Sequence, residues 1–375
     1  MPLDDHDLQQ LHRALELART AIGRSDPNPR VGCVLADASG RQIGAGATQS
    51  AGHAHAEVMA LRAAQASGAA VSGGTAWVSL EPCSHHGRTP PCVDALIEAG
   101  VRRVVAATID PNPLVAGAGL QRLREAGVAV DVADGEAARQ ARELNIGFFA
   151  RMRRGMPWVR CKLAASLDGR TALDNGHSQW ITGEAARTDA HAWRRRAGAI
   201  VTGAGTAVAD NPRLDVRLVA TDVQPLRVVI DSRLRTPASS RVFDPPGEAL
   251  VYCARAEARA ARALRERKVE LIELPGADGA VDLAAAFKDL AARGVNELHV
   301  EAGAGLSGAL LRADLIDEFL IYLAPRLIGP GRGIVDVPPL SDLSQAWSLR
   351  FETMQALGDD LRIVARRPGA LPWLD

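Results

Sequence analysis

Two stretches, "HAEVMALRAAQ" from His55 to Gln65 and "SLEPCSHHGRTPPC" from Ser79 to Cys92, limit the fold more than any other part of the chain. Both carry side chains that can take a metal, and they serve one site only if the chain folds so that the two segments meet. The pattern predicts that His55 and Glu57 open a helix after a loop, and that Cys83 directly follows a strand ending in "SLEP". Each candidate then sits at the carboxyl end of a strand or the amino end of a helix, where open α/β sheets gather ligand sites. Zinc in a catalytic role takes three protein ligands and keeps a fourth position for water; His55, Cys83 and Cys92 fill that quota.

Glu57, two residues beyond His55, then remains to accept and return a proton, as hydrolytic deamination of an amidine-like carbon requires. The H-x-E…P-C-x-x-C arrangement is the signature of zinc nucleobase deaminases. This chain departs from its commonest spacing, because eight residues, "SHHGRTPP", separate Cys83 from Cys92. The longer loop presents Ser84, His85, His86 and Arg88, donors able to grip a phosphate or polar ring substituents. The alternative is a closed structural zinc site with His85 or His86 as fourth ligand. Cys33, Cys161 and Cys253 lie in apolar strand-like runs and read as buried free thiols.

Composition narrows the partners. Lys plus Arg and Asp plus Glu both number 44, so no global field draws nucleic acid or an anionic membrane surface. The acidic, amphipathic N-terminus has no basic segment followed by an apolar run, and no stretch of eighteen apolar residues occurs, so a cytoplasmic protein is expected. With 375 residues, the chain suits two domains better than one.

The elements alternate as in α/β proteins. In the first region the pattern predicts helix Asp7 to Ile22, strands Val31 to Ala36 and Gln42 to Ala47, and the helix opened by His55. Strand Thr75 to Leu80, helix Cys92 to Ala99, strand Arg103 to Thr108, helix Ala118 to Ala126 and strand Ala129 to Val132 follow. The segment "GFFARMRRGMPW", Gly147 to Trp158, clusters Arg, Gly and Pro without apolar period and reads as the joint between domains 1–150 and 151–375. The second region begins with strand Val159 to Ala164 and has further strands at Ala199 to Thr202, Leu226 to Asp231, Ala249 to Cys253, Glu297 to Glu301 and Phe319 to Leu323.

Within that region "EAGAGLSGALL" holds G-x-G-x-x-G at Gly303, Gly305 and Gly308, between a strand and a helix, which suits a backbone cradle for pyrophosphate. It comes late in the domain and the next strand lacks the ribose-binding acid, so a tight turn without ligand stays open as the alternative. "VTGAGTAVADNPRLDVR" adds Thr206, Asp210 and Arg217 as candidates.

The whole chain resembles the bifunctional pyrimidine deaminase and reductase family of riboflavin biosynthesis, through "HAE", "EPCSHHGRTPPC", "DPNPLVAGAG", "KLAASLDGRTA" and "SQWITGEAAR". The resemblance implies an N-terminal cytidine-deaminase-like three-layer αβα domain and a C-terminal dihydrofolate-reductase-like α/β domain. It implies hydrolytic deamination of 2,5-diamino-6-(5-phosphoribosylamino)pyrimidin-4(3H)-one at zinc, then NADPH-dependent reduction of the ribosyl to a ribityl chain. In the first domain it implies His55, Cys83 and Cys92 as zinc ligands, Glu57 as proton shuttle, Asn28 against the pyrimidine, and His85 and Arg88 on ring substituents or phosphate. In the second it implies Ala164, Trp180, Thr206, Asp210, Ser232 and the Gly303, Gly305, Gly308 loop on the cofactor side. Ser178, Arg194, Leu214, Arg217 and Glu301 would face the ribosyl phosphate, and the two Arg forks suit bidentate phosphate contacts. Asp210 would also assist proton movement near C1′, and Ser232 with Arg233 are the candidates for the 2′-phosphate of NADPH.

Two positions depart from the family. Thr48 of "GATQSAG" stands where a substrate-binding His is expected, nearby His53 is not geometrically equivalent because it lies two residues from the metal ligand, and Gly198 stands where an Asp is usual. The family also implies a homodimer through the second domain. Two other readings remain at this point: an editor of nucleic-acid bases, disfavoured by the neutral charge, and a non-catalytic zinc-stabilised binding protein.

Overall fold

The computed structural model describes residues 3–85, 90–369 and 373. The chain separates into two compact units, one running to Gly155 and the other starting at Met156.

The first unit contains α1 (Asp5–Arg19), β1 (Gly32–Ala36), β2 (Gln42–Ala47), α2 (Ala56–Ala66), β3 (Thr75–Val78) and α3 (Cys92–Glu98). It continues through β4 (Arg103–Ala106), α4 (Ala118–Glu125), β5 (Ala129–Val132), α5 (Gly135–Leu144) and α6 (Ile146–Arg154). The sheet order is β2-β1-β3-β4-β5, with β1 antiparallel to both neighbours and β3, β4 and β5 parallel. Alternate residues of β1 go to opposite sides. Cys33 and Leu35 join a core with Ala56, Ala60, Leu96 and Leu120, while Val34 and Ala36 join one with Leu11, Leu15 and Ala141. Helices thus cover both faces, giving three αβα layers, and every residue of β1 is buried. Two glycines of β2 bring α2 into place: a Cβ on Gly44 would meet the Ala60 carbonyl oxygen at 2.2 Å, and one on Gly46 the Ala56 carbonyl oxygen at 2.7 Å. The helix carrying Glu57 therefore lies directly on strand backbone.

The segment read as a joint is mostly helix. Ile146, Phe148, Phe149 and Ala150 of α6 are buried, and the chain leaves the helix only at Gly155, whose φ is 66°. The apolar residues of α6 are contiguous, so they leave no clean 3.6-residue period for sequence reasoning to find.

The second unit comprises β6 (Trp158–Ser166), β7 (Arg170–Leu173), α7 (Glu184–Arg196), β8 (Ala199–Gly203), α8 (Ala204–Asp210), β9 (Leu226–Ile230), β10 (Ala249–Cys253) and α9 (Ala258–Glu266). It ends with β11 (Glu270–Glu273), α10 (Leu283–Ala292), β12 (Glu297–Val300), α11 (Ala304–Arg312), β13 (Glu318–Ala324), β14 (Gly331–Gly333), β15 (Arg350–Leu357) and β16 (Asp360–Arg366). Nine strands form one sheet in the order β11-β10-β9-β8-β12-β6-β13-β16-β15, parallel except where β16 pairs with β13 and β15. Short β7 and β14 pair separately. β15 is the exposed edge of the large sheet, and neither it nor β16 was legible in the sequence.

Candidate active sites

In the first unit three chain segments converge. His55 is the N-cap of α2, Cys92 is the first residue of α3, and Cys83 lies on the loop that leaves β3. The His55 Nδ1 lies 3.5 Å from the Cys83 Sγ and 3.3 Å from the Cys92 Sγ, and the Cys92 backbone N–H donates to the Cys83 Sγ at 3.4 Å. The three ligand atoms lie within 4.8 Å of one another, and among the described residues no other group of His, Cys and carboxylate side chains does so. Hydrogen bonding from Cys92, and then from His55, holds the Cys83 thiol down at about 4 despite burial. Cys92 is displaced upward because it shares its proton with that thiolate. Two sulfurs and one imidazole at this separation are a donor set that zinc fits.

Glu57, the second residue of α2, is 3% exposed. Burial, followed by the negative Cys83, pushes its carboxyl up to about 7, so it can hold or release a proton near neutral pH. Glu57, His55 and Cys83 open into a cavity of about 340 Å³ whose wall includes Asn28, Thr48, His85, Asp110, Asn112 and Arg151. Asn28 and His85 are thus beside the metal ligands, whereas Arg88 lies outside the described residues. Thr48 is buried with its hydroxyl accepting the Val31 N–H at 3.2 Å, and His53 is exposed and off the cavity wall, so it does not replace the expected His.

Sequence reasoning missed two parts of this wall. Asp110 and Asn112 come from "DPNPLVAGAG", a motif quoted but given no role, and burial pushes the Asp110 carboxyl up to about 7. Phe148, Arg151 and Met152 come from α6; Arg151 donates to the Pro27 carbonyl at 2.8 Å and so braces the segment bearing Asn28.

The second unit holds a cavity of about 1000 Å³ above the carboxyl ends of β6, β8, β9 and β12. Of the expected residues, Ala164, Ser178, Thr206, Asp210, Ser232, Glu301, Gly303 and Gly305 line it, as does Arg233. Gly303 is the N-cap of α11 and donates its N–H to the Thr206 Oγ1 at 2.9 Å, tying the two small-residue loops together. A Cβ on Gly305 would meet nothing within 4 Å, so the backbone there is open to a ligand. This open helix start beside basic Arg233, Arg235 and Arg332 fits a dinucleotide pyrophosphate.

The remaining expected residues stand elsewhere. Gly308 packs on the backbone of Asp336 instead of lining the cavity. Trp180 is 61% exposed, with the Arg187 guanidinium 4.8 Å from its ring. Leu214 is buried in the apolar core, which leaves only its backbone for a ligand. Arg194 binds Glu301 through two bonds of 2.5 and 2.8 Å, and Arg217 pairs with Asp215 at 2.6 Å. Lys162, absent from the sequence candidates, lines the cavity, and burial pushes its ammonium down against the attraction of Glu301. Gly198 lies before β8, where a Cβ would touch Val295 at 3.4 Å, and nothing there explains the departure from Asp.

The model of the cytidine and deoxycytidylate deaminase zinc-binding region matches residues 4–108, and that of the RibD C-terminal domain matches residues 157–363. The riboflavin biosynthesis protein RibD of Escherichia coli K12 is 44% identical over 370 residues, covering 95% of this chain and 98% of that protein. The chain belongs to the RibD family of riboflavin biosynthesis proteins. RibD of Acinetobacter baumannii superposes with a TM-score of 0.85 at 38% identity, covering 97% of this chain and 99% of that one. The diaminohydroxyphosphoribosylaminopyrimidine deaminase/5-amino-6-(5-phosphoribosylamino)uracil reductase of Thermotoga maritima superposes at 0.86 with 31% identity and the same coverage. As a RibD-family member, this chain is a zinc-dependent deaminase joined to a reductase. Among the described residues no helix is long and apolar enough to cross a membrane.

Proposed function

We propose that the first unit hydrolytically deaminates 2,5-diamino-6-(5-phosphoribosylamino)pyrimidin-4(3H)-one and that the second reduces the resulting ribosylaminouracil to its ribityl form with NADPH. The observation that carries the reading is the meeting of His55, Cys83 and Cys92 beside buried Glu57, in a chain whose other unit opens a glycine-lined cavity.

His55, Cys83 and Cys92 would hold zinc, which supplies Lewis acidity that brings a water pKa down to about 7. Glu57 takes the proton from the attacking water and returns it to the departing amine, so ammonia leaves and a carbonyl remains. A carboxyl near 7 serves both halves of that exchange. Asn28 and Asp110 orient the ring from two separate segments, and His85 meets the substituents or phosphate. With Thr48 committed to Val31, the site binds its substrate without an imidazole at that position.

In the second unit Ala164, Thr206, Ser232, Gly303 and Gly305 would hold NADPH, which would supply the hydride for C1′ of the ring-opened or imine sugar. Ser178 and Glu301 meet the substrate, and Arg194 orients Glu301 through its paired bonds. Asp210 is exposed on the cavity rim, whereas Lys162 stands inside beside Glu301, so Lys162 is the better-placed proton source. The protein works in the cytoplasm as a homodimer formed on the edge at β15, where Phe351 is 60% and Met354 62% exposed.

Mass spectrometry of zinc-loaded protein with the diaminopyrimidine substrate tests the reading. Deaminated product alone is expected without NADPH, and a species two hydrogens heavier once NADPH is added. No conversion of either substrate refutes it.

A further inference from the structure

The loop Asp110 to Gly119 supplies Asp110 and Asn112 to the deaminase cavity, and its anchor is a side chain beside the metal loop. Glu81, two residues before Cys83, is 3% exposed. Its carboxylate accepts four backbone N–H groups: Asp110 at 3.1 Å and Gly117 at 2.9 Å on one oxygen, Gly119 at 2.9 Å and Leu120 at 3.2 Å on the other. Gly117 is the N-cap of α4 and has no side chain to satisfy the helix's first N–H groups, so Glu81 caps the helix from across the fold. The helix start favours a negative charge at that place. Packing repeats the link: a Cβ on Gly119 would strike the Pro82 carbonyl oxygen at 2.2 Å. Glu81 is thus joined by the chain to the metal loop and by hydrogen bonds to both ends of the substrate loop.

We infer that Glu81 is a positioning residue of the deaminase: it holds Asp110 and Asn112 against the bound pyrimidine while leaving the metal ligands and Glu57 untouched. The inference rests on the reading of this cavity as the pyrimidine site. A carboxylate offers only acceptors, whereas the amide of Gln offers one oxygen and an NH₂ that would oppose two of the four N–H donors. Glu81→Gln therefore keeps the volume but turns two charge-assisted bonds into repulsions, and the loop moves off its seat.

The experiment measures deaminase KM and kcat, zinc content and reductase rate of the full chain, using the diaminopyrimidine ribosylamino phosphate. Glu81→Gln is expected to raise KM on the order of 10-fold, with kcat changed by less than about 3-fold and with zinc content and reductase rate unchanged. In an Asp110→Asn background the same substitution should add little to KM, because the loop's contact is already lost. Should Glu81→Gln fail to fold, Gly119→Ala displaces the far end of the loop through its clash with the Pro82 carbonyl and should give the same split. A loss of zinc, a fall in kcat at constant KM, or full additivity with Asp110→Asn overturns the inference. If Asp110→Asn leaves KM unchanged while Glu57→Ala abolishes turnover, the loop is not a substrate wall; the inference then falls and the deaminase assignment stands.

Discussion

Gly305 and Gly308 belong to one G-x-G-x-x-G motif, yet the structure gives them opposite consequences when each becomes Ala. Both lie in α11, where replacing Gly by Ala gains about 0.5–1 kcal/mol of helix stability. At Gly305 the new Cβ meets nothing within 4 Å, so that gain is kept. The methyl instead enters the space through which the helix start reaches the cavity, and it costs the cofactor contact. A charge-assisted hydrogen bond weakened there is worth about 1.5–3 kcal/mol, or roughly 10- to 100-fold in NADPH KM. At Gly308 the new Cβ falls 1.8 Å from the Asp336 carbonyl oxygen, against 3.4–4 Å for ordinary contact. That oxygen also accepts from Arg312 at 2.8 Å and its segment is tied to α11 by the Asp336 N–H to Ala304 bond of 3.1 Å, so it cannot yield freely. Overpacking of about 3 kcal/mol less about 1 kcal/mol of helix gain leaves about 2 kcal/mol of destabilisation. For a unit of this size that lowers its unfolding midpoint by about 4–8 °C. Calorimetry with NADPH titration of reductase rate reads both effects. An unchanged midpoint for Gly308→Ala, or an unchanged KM for Gly305→Ala, refutes the separation of packing glycine from ligand glycine.

Glu57→Ala should lower deaminase turnover by about 10²- to 10⁴-fold while zinc content and reductase rate persist, as measured by metal analysis and two separate rate assays. Chelation of zinc, or Cys83→Ser, should remove deamination and leave reduction of supplied uracil intermediate intact, because the two cavities belong to separate units. Asp7 accepts from Arg103 at 2.7 and 2.8 Å and from the Trp77 indole at 2.8 Å, and Asp7→Asn should cost about 2–3 kcal/mol, since Arg103 is one-third exposed. Burial alone would raise the Asp7 carboxyl, but the Arg103 and Trp77 bonds outweigh it and bring it below its usual value. The stabilisation is therefore full above the unfolded-state pKa of about 4 and drains as pH falls through the folded value. Urea midpoints of the two proteins should converge on acidification, and a gap that widens instead would contradict the assignment.

The residues most legible in the sequence are those whose chemistry is local to a motif. His55, Glu57, Cys83 and Cys92 declare themselves because a metal site demands particular side chains at strand and helix ends; the structure brings the ligand atoms of His55, Cys83 and Cys92 together and opens His55, Glu57 and Cys83 to one cavity. Strands β2, β5 and β10 match the expected bounds, β10 most plainly because ALVYC is a short apolar run between Glu248 and the Ala254-Arg255 bend. The edge strand β15 was illegible because it is exposed along most of its length and carries no buried-face alternation.

What the sequence by itself determined is the candidate chemistry: the residues proposed as ligand set and proton carrier, the division into two α/β parts and, through its motifs, the family. Tertiary structure alone decided which polar residues support that chemistry. Asn145 accepts from the Arg30 N–H at 2.7 Å and donates to the Arg30 carbonyl at 2.9 Å across 115 positions, which makes the end of the first unit part of the Asn28 wall. Arg160, in a strand that reads as apolar, is buried against Glu297 at 2.9 Å and against Glu318 because β6 lies between β12 and β13. Such pairings depend on strand order and close approach between distant segments, and those arise only when the whole core packs.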